Sequence, residues 1–242
     1  MKRAGEAARL EAAIYLKTGR VLMPGLALLI YLVTFYSVGP VDIVNSSVMT
    51  ALILFLCMTW AGISYARSEE PVIAQLMQLK LNSHPLEIAA RGLLIMAVSA
   101  ALSIFSAAWP LLKNAAAGGA FLSRSVSVTD AAQMLLLYLS SALAGGAFGA
   151  LFHPRVLRDT RAAWLLVLAG CLAGIFSGVI IRDIPVFAHI APLFPPMYGL
   201  ITGFDGVDYL HDGAFARTVV SCFAYAAVAF TLKTVILRYR RF

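Results

Sequence analysis

Long uncharged apolar stretches recur along this chain and limit what it can fold into. No Asp, Glu, Lys or Arg occurs between Arg20 and Asp42, Asp42 and Arg67, Arg91 and Lys113, Asp130 and Arg155, Arg161 and Arg182, or Asp183 and Asp205. A seventh stretch, Thr218–Leu232, reaches Leu237 if Lys233 snorkels toward the lipid surface. About 20 apolar residues suffice to cross the hydrocarbon core as a helix. With 61% hydrophobic and 13% charged residues over 242 positions, a soluble domain could not hide so much apolar surface from water. Disorder needs the reverse composition. The expectation is an all-α integral membrane protein, one transmembrane domain over residues 1–242.

One of the seven stretches is unlike the rest. Ile184–Phe204 holds Pro185, Pro192, Pro195 and Pro196 with His189 among them. Interior prolines remove helix hydrogen bonds and clash with the preceding turn. Short helices that dip into the membrane and return fit 184–204 better, because irregular backbone is tolerated where protein covers it. Charge supports that choice. With six spans at 21–41, 48–66, 88–112, 131–152, 162–181 and 218–237, and both termini cytoplasmic, 15 of the 19 basic residues fall inside, while the 12 acids divide evenly. A seventh span would move Lys233 and the Arg238–Arg241 cluster outside.

The segments between the spans carry their own patterns. In residues 1–20, Ala7, Leu10, Ile14 and Lys17 recur at helical spacing, which predicts an amphipathic interfacial helix. Residues 67–87 read as a folded cytoplasmic connection. Glu69 and Glu70 favour a helix start, and Pro71 suits its first turn. Val72, Ile73, Leu76 and Met77 form an apolar stripe. Asn82, Ser83 and His84 break that helix, and Pro85 with Glu87 restarts another. Such an apolar-faced helix either closes a hairpin or docks a partner protein. The basic loop His153–Arg161 reads as an inside anchor.

Several chemistries find little support. Asp205, Asp208, His211 and Asp212 do not have the spacing of an EF-hand loop. The six spans lack ionisable groups in their central portions, unlike ion-coupled carriers. Ser177 in GIFSG has no base that the sequence can name. No GxxxxGK[ST] phosphate loop occurs. Gly145, Gly146, Gly149, Gly170, Gly174 and Gly178 are expected to let helices approach closely. Cys57, Cys171 and Cys222 each lie within an apolar run, which argues against a disulfide framework.

Three segments together resemble the membrane subunit of type-2 ATP-binding-cassette (ABC) transporters, the exporter-like permeases. EAARLEAAIYLKTGRVLMP is similar to that family's elbow helix. SEEPVIAQLMQLKLNSHPLEIAARGL looks like its cytoplasmic coupling helix and third span, through Glu69–Glu70, Leu76–Leu79, Pro85 and Glu87. SGVIIRDIPVFAHIAPLFPPMYGL resembles its signature between the last two spans, through Ser177, Gly178, Pro185, Pro192, Pro195, Pro196 and Tyr198. Many members have Gly-Thr or Gly-Ser after the acidic pair, where this chain has Pro71.

The resemblance implies a permease in a bacterial plasma membrane, paired with a second permease, identical or homologous, and with two ATPase subunits. The permease itself would bind no cofactor and no nucleic acid; ATP and Mg would belong to the ATPase. Glu69, Glu70, Pro71, Val72, Ile73, Leu76, Met77 and Leu79 would form the docking helix. Met58, Trp60, Tyr65, Phe176 and Ile180, on the second and fifth spans, would line the pathway. Pro185, Pro192, Pro195, Pro196 and Tyr198 would form an extracellular gate. An uncharged pathway favours hydrophobic or amphipathic cargo such as a drug, lipid or peptide, with polysaccharide as the rival. The competing readings are the substrate-binding membrane component of a vitamin-type importer, which lacks a long coupling helix of its own, and an intramembrane enzyme.

Overall fold

The apolar runs fold as helices. The structure is a computed structural model describing residues 19, 22–68, 84–204, 206–207, 209–210 and 213–239, with backbone alone at 84–90 and 238–239. In chain order the helices are α1 (Leu22–Phe35), α2 (Ile43–Ala66), α3 (His84–Ala116), α4 (Val128–Ala150), α5 (Thr160–Ile175), α6 (Ser177–Asp183), α7 (Met197–Thr202) and α8 (Gly213–Tyr239). Two 3₁₀ turns, Pro185–His189 and Ala191–Leu193, lie between α6 and α7. No β-strand forms among the described residues; a lone backbone bridge joins Val41 to Leu122. The interfacial helix expected over 1–20, Gly19 apart, and the docking helix Glu69–Leu79 lie outside the described residues.

Among the described residues four helices, α2, α3, α4 and α8, are long and apolar enough to cross a membrane, and α5 with α6 makes a fifth if that pair is one span. The chain is therefore a helical, membrane-embedded, multi-pass protein. Two elements differ from the uniform spans expected. Helix α1 has 14 residues, about 21 Å at 1.5 Å per residue, against a hydrocarbon core of about 30 Å. The α5–α6 pair bends by 75°. The bend falls at Phe176, whose φ of −99° and ψ of 10° leave the α region. Gly174, Ser177 and Gly178 flank it, and the Ser177 hydroxyl donates to the Gly174 carbonyl at 3.2 Å, a setting where helices kink readily.

Backbone proximity between α2 and α4 organises the bundle. In lipid, apolar side chains gain little by leaving one apolar medium for another, so close packing must hold helices together. Gly145, Gly146 and Gly149 supply it. A Cβ on Gly145 would strike the Phe55 carbonyl, and one on Gly149 the Thr59 carbonyl. On the opposite helix, a Cβ on Gly62 would lie 2.5 Å from the Gly146 carbonyl. Helix α4 also carries α3 and α8 on its other sides, and α1 packs on α2. Helix α3 presents the small buried residue Ser99 beside Gly146. Helix α5 turns Ala163, Val167, Gly170 and Gly174 inward at helical spacing and leaves Leu165, Leu168 and Leu172 exposed.

Side-chain caps start three helices. Asp42 accepts from the Asn45 amide at 2.7 Å at the head of α2, and Asp159 from the Arg161 amide at 2.9 Å at the head of α5. Ser127 and Asp130 make a reciprocal capping box on α4.

Arg67, just past α2, clasps the far end of the bundle. Its guanidinium donates to the Leu157 carbonyl at 3.2 Å, the Arg158 carbonyl at 3.1 Å and the Thr160 hydroxyl at 2.9 Å, with the Phe152 carbonyl at 3.4 Å. Arg67→Ala is expected to lower stability by about 1–3 kcal/mol, since it orphans carbonyls served by a charged donor. Lysine, a point donor without the fork, should recover only part of that. Thermal unfolding in detergent measures both, and an unchanged midpoint for Arg67→Ala would contradict the clasp.

Candidate functional site

The bend after α5 sends the chain sideways and then back along α8. Glycine again sets the approach. A Cβ on Gly178 would overlap the Tyr198 ring, and one on Gly174 would lie 2.6 Å from the Pro195 carbonyl. The 3₁₀ turns are braced by Phe187 stacked on Phe194, centroids 5.5 Å apart. The Tyr225 hydroxyl on α8 donates to the Leu193 carbonyl at 3.2 Å. These contacts leave an open groove of about 640 Å³ between the returning segment and α8.

Pro192, Phe194, Pro195, Ala224 and Val228 contribute to the apolar walls of the groove. Most of its hydroxyls are already engaged with backbone: Ser221 with the Thr218 carbonyl at 2.8 Å, Thr202 with that of Tyr198 at 3.0 Å, and Ser177 and Tyr225 as above. No carboxylate, histidine or cysteine lines it among the described residues, and Arg217 is its charged member. Such a site can hold a ligand by shape, apolar contact and one positive charge.

The expected gate residues Pro192, Pro195, Pro196 and Tyr198 meet at this groove, and Pro185 stands outside its lining. The expected pathway residues do not gather there. Met58 and Tyr65 are packed among the chain's own helices, Met58 against Gly146; Trp60 and Phe176 are exposed, and Ile180 is half-buried. The docking residues Glu69, Glu70, Pro71, Val72, Ile73, Leu76, Met77 and Leu79, and the acidic loop residues Asp205, Asp208, His211 and Asp212, lie outside the described residues. No cluster of three metal-ligating side chains occurs among the described ones. The three cysteines are buried and free.

Sequence reasoning missed a brace at the end assigned outside by charge. Arg124 makes a two-pronged ion pair with Asp130 at 2.7 and 2.8 Å, and its guanidinium lies 4.4 Å over the Tyr209 ring. The adjoining Asp130 pushes the Arg124 pKa up. The Asn114 side-chain Oδ1 accepts from the Phe121 and Leu122 amides at 3.2 and 3.1 Å, and Val41 exchanges backbone bonds with Phe121 and Ser123, each 3.0 Å. The α1–α2 loop, the α3–α4 loop and the segment before α8 are thus joined. A signal was present: Ser127-x-x-Asp130 ahead of an apolar run is a capping-box spacing.

The fold and groove define a helical multi-pass membrane protein with a bent, returning segment beside its last helix. No family model, curated protein or solved structure matches the chain.

Proposed function

We propose that this chain is the membrane-spanning permease subunit of a type-2 ABC transporter, an exporter of hydrophobic or amphipathic cargo. One observation carries the reading furthest. The α5–α6 pair breaks by 75°, and a proline-bearing segment returns with Pro195 and Tyr198 seated on Gly174 and Gly178. The order of Ser177, Gly178, Pro195, Pro196 and Tyr198 is the order that the resemblance rests on. Under this reading the returning segment is the outer gate. The six-span layout, the interfacial helix 1–20, the cytoplasmic termini and the bacterial plasma membrane complete the proposal. So do a second permease and two ATPase subunits that hold the ATP and Mg.

Gentle purification of the tagged chain from its native membrane tests it. A stoichiometric partner with a phosphate-binding loop and ATP hydrolysis is expected, and a solitary chain under several detergents counts against the reading. Topology gives an independent check. A cysteine placed beside Arg240 is expected to react with an impermeant thiol reagent only from the cytoplasmic side, because the basic cluster favours that side. With the N-terminus inside, reaction from outside would require an odd number of spans.

A further inference from the structure

The groove beside α8 has a direction. Arg217, Ser221, Ala224 and Val228 all line it. They stand at helical positions i, i+4, i+7 and i+11, so they share one face of α8 and span about 16 Å along its axis. That length is about half of a 30 Å hydrocarbon core, one leaflet deep. The positive charge is at one end, and the wall becomes apolar toward the other. Arg217 is exposed and makes no side-chain bond among the described residues. Val228, at the far end, is 66% exposed. The volume of about 640 Å³ falls within the range of small-molecule sites. A compact solute would leave either the cation or the apolar end unmatched. An elongated amphiphile with a negative head matches both.

We propose that this groove seats one anionic phospholipid of the surrounding bilayer, with its phosphate on Arg217 and an acyl chain along Phe194, Ala224 and Val228. The lipid fills the space between the returning segment and α8, and so couples their relative position to lipid composition. The proposal needs only a membrane-embedded chain and stands apart from the permease reading; its test involves no ATPase.

The test incorporates the purified chain into nanodiscs of equal phosphatidylglycerol and phosphatidylcholine, then extracts it in mild detergent and quantifies the retained lipid. One phosphatidylglycerol per chain is expected, favoured about tenfold over phosphatidylcholine, as suits a charge-assisted phosphate contact. Arg217→Gln, at an exposed position where folding should be undisturbed, is expected to abolish the preference. Ala224→Trp, which fills the groove, is expected to abolish retention of both lipids, with its thermal midpoint recorded as a check on folding. Three results overturn the proposal: no retained lipid, retention without preference in the unaltered protein, or a preference that survives Arg217→Gln.

Discussion

Gly149→Val is expected to disrupt the bundle, lowering stability by more than about 3 kcal/mol. Overpacking a well-filled interior typically costs about 1–3 kcal/mol, with the larger values where the neighbour cannot yield. Here the neighbour is main chain. A Cβ at Gly149 would meet the Thr59 carbonyl and come within 2.8 Å of the Ile63 amide. Neither can rotate aside, so α2 and α4 must separate along their length, and the contacts at Gly145 and Gly62 would be strained with them. Effects at these three glycines should therefore be non-additive. Two internal controls exist. A Cβ on Gly25 or Gly92 meets nothing within 4 Å, so alanine there should be neutral or stabilise by about 0.5–1 kcal/mol through reduced backbone entropy. Thermal unfolding in detergent, followed by size exclusion, separates the cases. A Gly149→Val protein that melts with the unaltered chain would mean that α2 and α4 are not packed as described.

The second large effect concerns the proposed ATPase contact. Leu76→Asp is expected to reduce association with the ATPase by at least about a thousandfold, which corresponds to about 4 kcal/mol. Burying a leucine contributes about 1.5–3 kcal/mol, and a carboxylate in its place adds a desolvation cost of its own. On the helix that the sequence predicts here, Val72, Ile73, Leu76 and Met77 share an apolar face with Leu76 near its middle. Gln78→Asp, two residues on and on the opposite side of the predicted helix, serves as a charge-changing comparison with a smaller expected effect. Co-purification and ATPase stimulation read the result, with membrane insertion checked in parallel. A complex that survives Leu76→Asp would end the docking assignment without affecting the description of the bundle.

Much of the secondary structure could be read locally. Runs without charge mark helices because lipid tolerates few ionised side chains and requires every backbone group to be satisfied within its own segment. The prolines of 184–204 pointed to a break from regular helix, and the structure has short helices and 3₁₀ turns there. The break at Phe176 was not anticipated, since Gly174, Ser177 and Gly178 read equally well as small residues for packing. The shortness of α1 was also missed, because the absence of charge continues through Tyr36–Val41 after the helix has ended. Of the residues expected at a gate, Pro192, Pro195, Pro196 and Tyr198 line one groove and Pro185 does not, and the expected pathway residues Met58, Trp60, Tyr65, Phe176 and Ile180 lie elsewhere.

Sequence alone determined the helical membrane class, because apolarity and helical period are properties of neighbouring residues. It also held the cap at Ser127 and Asp130, three positions apart. Tertiary structure decided which glycines matter and against what. Gly145 and Gly149 were expected to allow close approach, but that they meet the Phe55 and Thr59 carbonyls of α2 is a fact of the packed bundle. Tertiary structure also brought Arg67 to Leu157 and Thr160, and Ser177 and Pro192 to the face of α8 that carries Arg217 and Val228. Those meetings depend on how rigid helices pack, and packing in lipid is set by surface shape across the whole bundle rather than by any local pattern.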